Sequence, residues 1–264
     1  MSNIDQSKQL PLLSIIVPAY NEEKRLPAAL EQLDSFIRES GICCELIVVD
    51  DGSRDQTREL VRSAMQHYSY LRLIENSHSG KAYTVRTGLL HATGEFALHA
   101  DADLSTPPEE FLKLINALNS GYDVAIGSRA GRPGAPWYRL LMSATWRTLV
   151  SIVVVRGFRD TQCGFKAYRT EVARQVLSHT LLYNSPSESL TTASVAAASD
   201  VEMLYIARKL GYRIAEVTLK WQHHDESKIR PMQDSLNAFR ELLRIRWFAL
   251  IGAYKWRPSK ASHA

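Results

Sequence analysis

The apolar run from Glu95 to Ala100 ends in Asp101-Ala102-Asp103, and chemistry is first expected there. Two carboxylates at i and i+2, where a strand gives way to a loop, can both reach one hard cation, which prefers oxygen ligands and often keeps diphosphate oxygens in its shell. A metal-diphosphate site is the reading that follows. So short a motif also suits a solvated loop carrying two acids, so its surroundings must decide. Three further polar clusters close apolar runs earlier in the chain: Pro18-Ala-Tyr-Asn-Glu22, Asp50-Asp-Gly-Ser53 and Asn76 to Lys81.

The elements that must position these clusters alternate. Leu12 to Val17, Glu45 to Val49, Leu71 to Ile74, Glu95 to Ala100 and Tyr122 to Gly127 read as strands. Glu22 to Arg38, Thr57 to Gln66, Lys81 to Ala92 and Pro107 to Asn119 read as helices from their apolar spacing. Strand-helix alternation calls for an α/β fold, a single Rossmann-like domain with a mostly parallel central sheet flanked by helices. Ligands of such sheets bind beyond the carboxyl ends of the strands, and all four polar clusters lie there. After Ser128 the pattern changes to a mixed apolar and basic segment from Trp137 to Phe158, then the string Asp160-Thr-Gln-Cys-Gly-Phe-Lys166. A helix from about Asp200 to Leu210, an alternating strand from Arg213 to Trp221 and a last helix from about Gln233 to Ala253 complete the reading.

Bulk properties exclude several classes. At 264 residues and 45% hydrophobic content the chain can bury a sizeable core as one large domain. Three cysteines, two of them adjacent, make neither a disulfide framework nor a CxxC metal pattern. No signal peptide and no apolar stretch long enough to span a bilayer is present, so a cytoplasmic location is expected. The net charge of +4 equals the excess of six basic over two acidic residues between Pro231 and Ala264. Charge confined to one tail gives little support to nucleic-acid binding. The expected organisation is a disordered start over residues 1–10, an α/β domain over 11–230 and a basic amphipathic C-terminal helix and tail over 231–264.

Taken together, Ser14-Ile-Ile-Val-Pro-Ala-Tyr-Asn-Glu22, Val48-Val-Asp-Asp-Gly-Ser53 and Asp101-Ala-Asp103 resemble the family 2 glycosyltransferases, inverting enzymes of the GT-A fold that use nucleotide-diphosphate sugars. Ile126-Gly-Ser-Arg129, Asp160-Thr-Gln-Cys-Gly-Phe-Lys166, Asp200-Val-Glu202 and Glu226-Ser-Lys228 look like its dolichyl-phosphate glucosyltransferase and polyprenyl-phosphate glycosyltransferase branch. The resemblance spans roughly Leu12 to Trp256. It departs from the branch in lacking a membrane anchor and in the Ser-, Thr- and Ala-rich stretch Ser178 to Ser199.

The resemblance implies a UDP-sugar donor, UDP-glucose first, a polyprenyl-phosphate acceptor, and Mg²⁺ or Mn²⁺ as cofactor. Pro18, Tyr20 and Glu22 resemble a base and ribose shelf, and Asp50 with Asp51 is placed to accept a uracil imide N–H. A turn role for this second pair is the competing reading. Lys81, at a helix N-terminus that favours anions, is assigned to the diphosphate. Asp103 is the metal ligand, with Asp101 on the metal shell or the donor hydroxyls.

A phosphate monoester acceptor is largely ionised at neutral pH, with a second pKa of about 6, and needs cations more than a base. Arg129, Arg132, Arg139, Lys166 and Lys228 are the candidates. A sugar hydroxyl acceptor would need a base instead, and Asp200 is the candidate, although it also suits the N-cap of its helix. The segment Leu242 to Trp256 has the composition of a helix lying in a membrane interface, which gives peripheral membrane contact. The other readings are the same donor site with a soluble glycan, metabolite or protein acceptor, a non-catalytic nucleotide-sugar binder, and a nucleotidyltransferase, whose Gly-rich loop after the first strand is missing here.

Overall fold

The computed structural model describes residues 10–129, 145–146, 148–150, 157–161, 163–182, 184, 186, 193–221 and 231–254. Arg132, Arg139, Lys228, the start of the chain up to residue 9, and most of Trp137 to Phe158 lie outside these. In chain order come β1 (Leu13–Ala19), α1 (Leu26–Ser40), β2 (Cys44–Asp50), α2 (Thr57–Ala64), β3 (Leu71–Glu75), α3 (Lys81–His91), β4 (Phe96–His99), α4 (Phe111–Asn119) and β5 (Val124–Arg129). They are followed by β6 (Lys166–Arg169), α5 (Thr170–His179), α6 (Ala193–Lys209), β7 (Ile214–Leu219) and α7 (Pro231–Leu250).

The seven strands form one sheet in the order β3-β2-β1-β4-β6-β5-β7. Every neighbour pair is parallel except those made by β6, which runs antiparallel to both β4 and β5. The near-continuous apolar runs of β1 and β2 follow from burial on both faces of the sheet. Leu13, Ile15 and Val17 point into one core layer with α1 and α4, whereas Ile16 points into the other with α3, α5 and α6. The same alternation splits Leu46 and Val48 from Ile47 and Val49, the period-two signature of a strand. Gly88 lets α3 lie directly on β1, because a Cβ there would stand 2.2 Å from the Ile16 side chain.

Several expectations change. The first helix begins at Leu26, not Glu22, with Pro27 in its first turn and Gly41 closing it at φ 64°. Pro108 to Glu110 form a 3₁₀ turn before α4. Strand β6 and helix α5 were not foreseen: β6 is four residues long and carries a lysine in place of an apolar run. Helix α6 also starts seven residues before Asp200, which removes the N-cap reading of that aspartate and leaves it mid-helix.

Candidate functional site

The loops after β1 and β2 are knitted into one surface. The Asn21 N–H donates to Ser53 Oγ at 2.9 Å and the Arg54 N–H to Asn21 Oδ1 at 2.8 Å. The Glu22 N–H donates to Thr57 Oγ1 at 2.8 Å, while the Glu22 carboxylate holds Arg25. Asn21 takes a positive φ of 53° to make this corner, a conformation asparagine tolerates better than most residues. Pro18, at the end of β1, and Tyr20 are partly buried just before it. A cavity of about 480 Å³ opens between the two loops, lined by Asn21 to Arg25, Arg54 and Asp55; it does not include Asp101 or Asp103.

Asp50 and Asp51 do different things. Asp50, fully buried at the end of β2, accepts the N–H groups of Gly52 and Ser53 on Oδ2, each at 2.9 Å. That is a turn role, yet the buried Oδ1 has no partner among the described residues. A buried acceptor without a donor is costly, so Oδ1 is the atom a ligand N–H would satisfy. Arg58, which no motif singled out, brings its Nε to 4.0 Å from Asp50 Oδ2. Asp51 is spent on the loop after β3: it takes the N–H groups of Ser79 and Gly80, at 2.8 and 2.9 Å, and His78 Nδ1 at 2.8 Å. The His78 ring then stacks on Tyr20 with centroids 4.2 Å apart. The sequence reading missed His78, since it carries no motif and becomes visible only when the loops after β1, β2 and β3 meet.

Lys81 opens α3, and its Nζ bonds Asp101 Oδ1. Past β4 the chain alternates: Ala102 and Leu104 are buried, while Asp101, Asp103 and Ser105 are partly exposed. The two carboxylates therefore share the open side of the loop. Asp103 Oδ1 caps the Ser105 N–H at 3.0 Å, and its Oδ2 takes no hydrogen bond from the described residues. Gly164 forms the seat under Asp101, where a Cβ would meet Oδ2 at 2.2 Å. Among the described residues no group of three or more His, Cys, Asp or Glu could hold a metal by itself. Two aspartates suit a hard cation that completes its shell with ligand oxygens and water, not a protein-only cage.

On the far side of the site the two expected cations that are described, Arg129 and Lys166, are already paired. Arg129, the last residue of β5, lies bidentate on Asp160, with Nε to Oδ2 at 2.6 Å and Nη2 to Oδ1 at 2.8 Å. Its guanidinium also stands 5.8 Å from the centroid of the Trp221 ring. Burial works against the Arg129 charge, but Asp160 outweighs it and holds the group above its ordinary pKa.

Lys166 departs furthest from expectation. It is wholly buried, and its Nζ bonds Cys163 O at 2.6 Å and Asp200 Oδ2 at 2.7 Å, so it presents no charge to an acceptor. A buried ammonium requires such acceptors. Asp200 keeps 18% of its side chain exposed; burial raises its pKa, opposed by Lys166. Glu202, two residues on and across the helix, is fully buried and accepts the N–H groups of Leu181 and Leu182 and the Tyr254 hydroxyl. Burial pushes its pKa up to about 7. Arg86, predicted on the same helix as Lys81, points away from the site and donates to Leu177 O and Thr180 Oγ1.

Helix α7 buries Leu242 and Ile245 and exposes Phe239, Leu243, Trp247 and Leu250, with Ile251 just beyond its end. These exposed residues recur at helical spacing in one stripe, flanked by exposed Arg240, Arg244 and Arg246. Among the described residues no helix is long and apolar enough to cross a membrane.

Comparison with known proteins gives a consistent picture. A family model described as Glycosyl transferase family 2 matches residues 14–177. The dolichyl-phosphate beta-glucosyltransferase of Dictyostelium discoideum is 33% identical over 261 residues, covering 92% of this chain and 76% of that protein. The protein of the same name from Homo sapiens is 34% identical over 269 residues, covering 94% and 79%. Among solved structures, glucosyl-3-phosphoglycerate synthase from Mycobacterium tuberculosis, in complex with Mn²⁺, UDP and phosphoglyceric acid, matches with a TM-score of 0.67 at 18% identity. The match covers 89% of this chain and 78% of that one, and at that identity it speaks for the fold.

Proposed function

The chain belongs to glycosyl transferase family 2, and from that premise we propose that it moves glucose from UDP-glucose onto a dolichyl-type polyprenyl phosphate with inversion. It is a glycosyltransferase of the GT-A fold. One observation carries the donor side: Asp101 and Asp103 open onto the same space as Lys81 at the start of α3. Asp50 Oδ1 accepts the uracil imide N–H that its lack of a partner calls for, with Tyr20 and His78 as the stacking shelf. Lys81 at the helix N-terminus takes the diphosphate. Asp103, with Asp101, would hold Mg²⁺ or Mn²⁺, which when bound neutralises charge growing on the departing diphosphate. The solved neighbours bound Mn²⁺ or Mg²⁺ with UDP, in keeping with this set.

The acceptor reading rests on the relatives named for dolichyl phosphate. A phosphate oxygen attacks the anomeric carbon as the bond to the diphosphate oxygen breaks, and UDP leaves. The nucleophile is already ionised near neutral pH, so no residue need accept its proton. Arg129, with Arg132, Arg139 and Lys228, would balance the acceptor charge, and Asp200 would orient the groups around the anomeric carbon. The exposed apolar stripe of α7 with its arginines would rest in the interface of an anionic membrane on the cytoplasmic face, side chains inward and guanidinium groups at the headgroups.

A second reading keeps the donor site and gives a soluble acceptor. The observation that favours it is the pairing of Arg129 and Lys166 with carboxylates, together with the partly exposed Asp200, which would then act as base. Incubation with labelled UDP-glucose or GDP-mannose and Mn²⁺, with dolichyl phosphate or 3-phosphoglycerate as acceptor, separates the two. Label from UDP-glucose in the lipid extract is expected. Label only in a water-soluble product, with no flotation on anionic vesicles, would establish the second reading.

A further inference from the structure

We propose that Lys166 is a positioning residue for the transfer reaction, fixing Asp200 from beneath so that Asp200 Oδ1 faces the reacting groups. This rests on the transfer reading above.

Lys166 begins β6, the reversed inner strand between β4 and β5, opposite His99 of β4 and Ile126 of β5. Its side chain has no exposed surface, so no substrate reaches the ammonium. The ion pair with Asp200 and the Cys163 carbonyl are the partners that justify a buried charge there. Neither neighbour on that layer replaces it. The His99 ring is buried, its Nδ1 has no partner among the described residues, and burial with the nearby lysines keeps it neutral. The Tyr168 hydroxyl, two residues along the strand, likewise has no described partner.

Among the described residues Asp200 is held from one side. Lys166 takes Oδ2, while Oδ1 takes no hydrogen bond from the described residues and the carboxylate remains partly open. Lys81 and Asp101 both act electrostatically on Asp200, which ties it to the donor end of the site. Glu202 lies about 200° around the helix and faces Tyr254 and the Leu181 loop, so it shares none of this setting. The string Asp160 to Lys166 thereby becomes a brace. Asp160 orients Arg129, Gly164 seats Asp101, and Lys166 orients Asp200.

A double-mutant cycle on the full chain tests this: wild type, Lys166→Met, Asp200→Asn and the double variant, assayed with UDP-glucose, Mn²⁺ and dolichyl phosphate. Lys166→Met is expected to lower kcat by about 50-fold in the wild-type background and by less than about 3-fold beside Asp200→Asn. The dissociation constant of UDP with Mn²⁺ is expected to stay unchanged. Equal losses in both backgrounds would overturn the assignment, since they would mean Lys166 acts through the fold at large. Should Lys166→Met fail to fold, Lys166→Gln, which can still donate to the Cys163 carbonyl, runs the same cycle. A wild type that binds UDP and Mn²⁺ yet leaves dolichyl phosphate unglucosylated defeats the substrate reading, and this role with it. An active wild type with additive losses defeats the Lys166 role alone.

Discussion

On the half of the sheet edge proposed for the donor, the loops after β1 to β4, two carboxylates keep an oxygen uncommitted among the described residues: Asp50 Oδ1 is buried with no partner, and Asp103 Oδ2 takes no bond. On the acceptor half, beyond β5 and β6, Arg129 and Lys166 already lie on Asp160 and Asp200. The half proposed for the donor thus keeps acceptor oxygens that a ligand and a cation would complete. Among the described residues of the acceptor half, these two cations are neutralised from within, as burial requires. A basic residue in a sequence motif says that charge is present, and only burial and partners say whether a ligand can use it.

The sharpest test of that contrast is the donor carboxylate. Asp103→Asn should lower kcat/KM by about 1000-fold, about 4 kcal/mol, and abolish Mn²⁺-dependent UDP binding by calorimetry, with the melting temperature near that of the wild type. Next is the seat beneath Asp101. Gly164→Ala places a methyl group where the Asp101 carboxylate now stands, so Asp101 must move. A loss of about 100-fold in kcat/KM is expected, on the order of 3 kcal/mol; near wild-type kinetics would show that the Lys81–Asp101 arrangement is not the working one.

The acceptor half should respond differently. Arg129→Ala should lower transfer by about 30-fold while leaving the affinity for UDP nearly intact. An equal loss of donor binding would break the division between the halves. The smallest effect concerns pH and Glu202, whose folded pKa of about 7 lies above its ordinary 4.5. A raised acid pKa means the folded state binds the proton more tightly, so its contribution is present below about 4.5 and is lost as pH rises to about 7. Melting curves should show that decline, and Glu202→Gln should flatten it by a few degrees.

The fold was legible where burial is written as apolar runs. Strands β1, β2 and β4 and the clusters that follow them lie within a residue or two of expectation, because both-face burial of a parallel sheet leaves continuous apolar segments. Helix α5 was legible but passed over, since Val172, Ala173, Val176 and Leu177 already carry its helical spacing. Strand β6 was not, because its lysine reads as a surface residue until Asp200, 34 positions later, supplies its partner. The roles of Arg129, Lys166 and Asp51 were obscured for the same reason: each depends on a partner brought close by the fold and not by the sequence.

In the proposed function the donor half receives a UDP-sugar with a divalent cation and the acceptor is a lipid phosphate. Transfer of labelled glucose from UDP-glucose to polyprenyl phosphate, measured by organic extraction with and without Mn²⁺, tests it most directly. Metal-dependent label in the organic phase, lost in Asp103→Asn, is expected. Metal-dependent label confined to the aqueous phase would contradict the lipid acceptor, and undiminished transfer by Asp103→Asn would contradict the donor site itself.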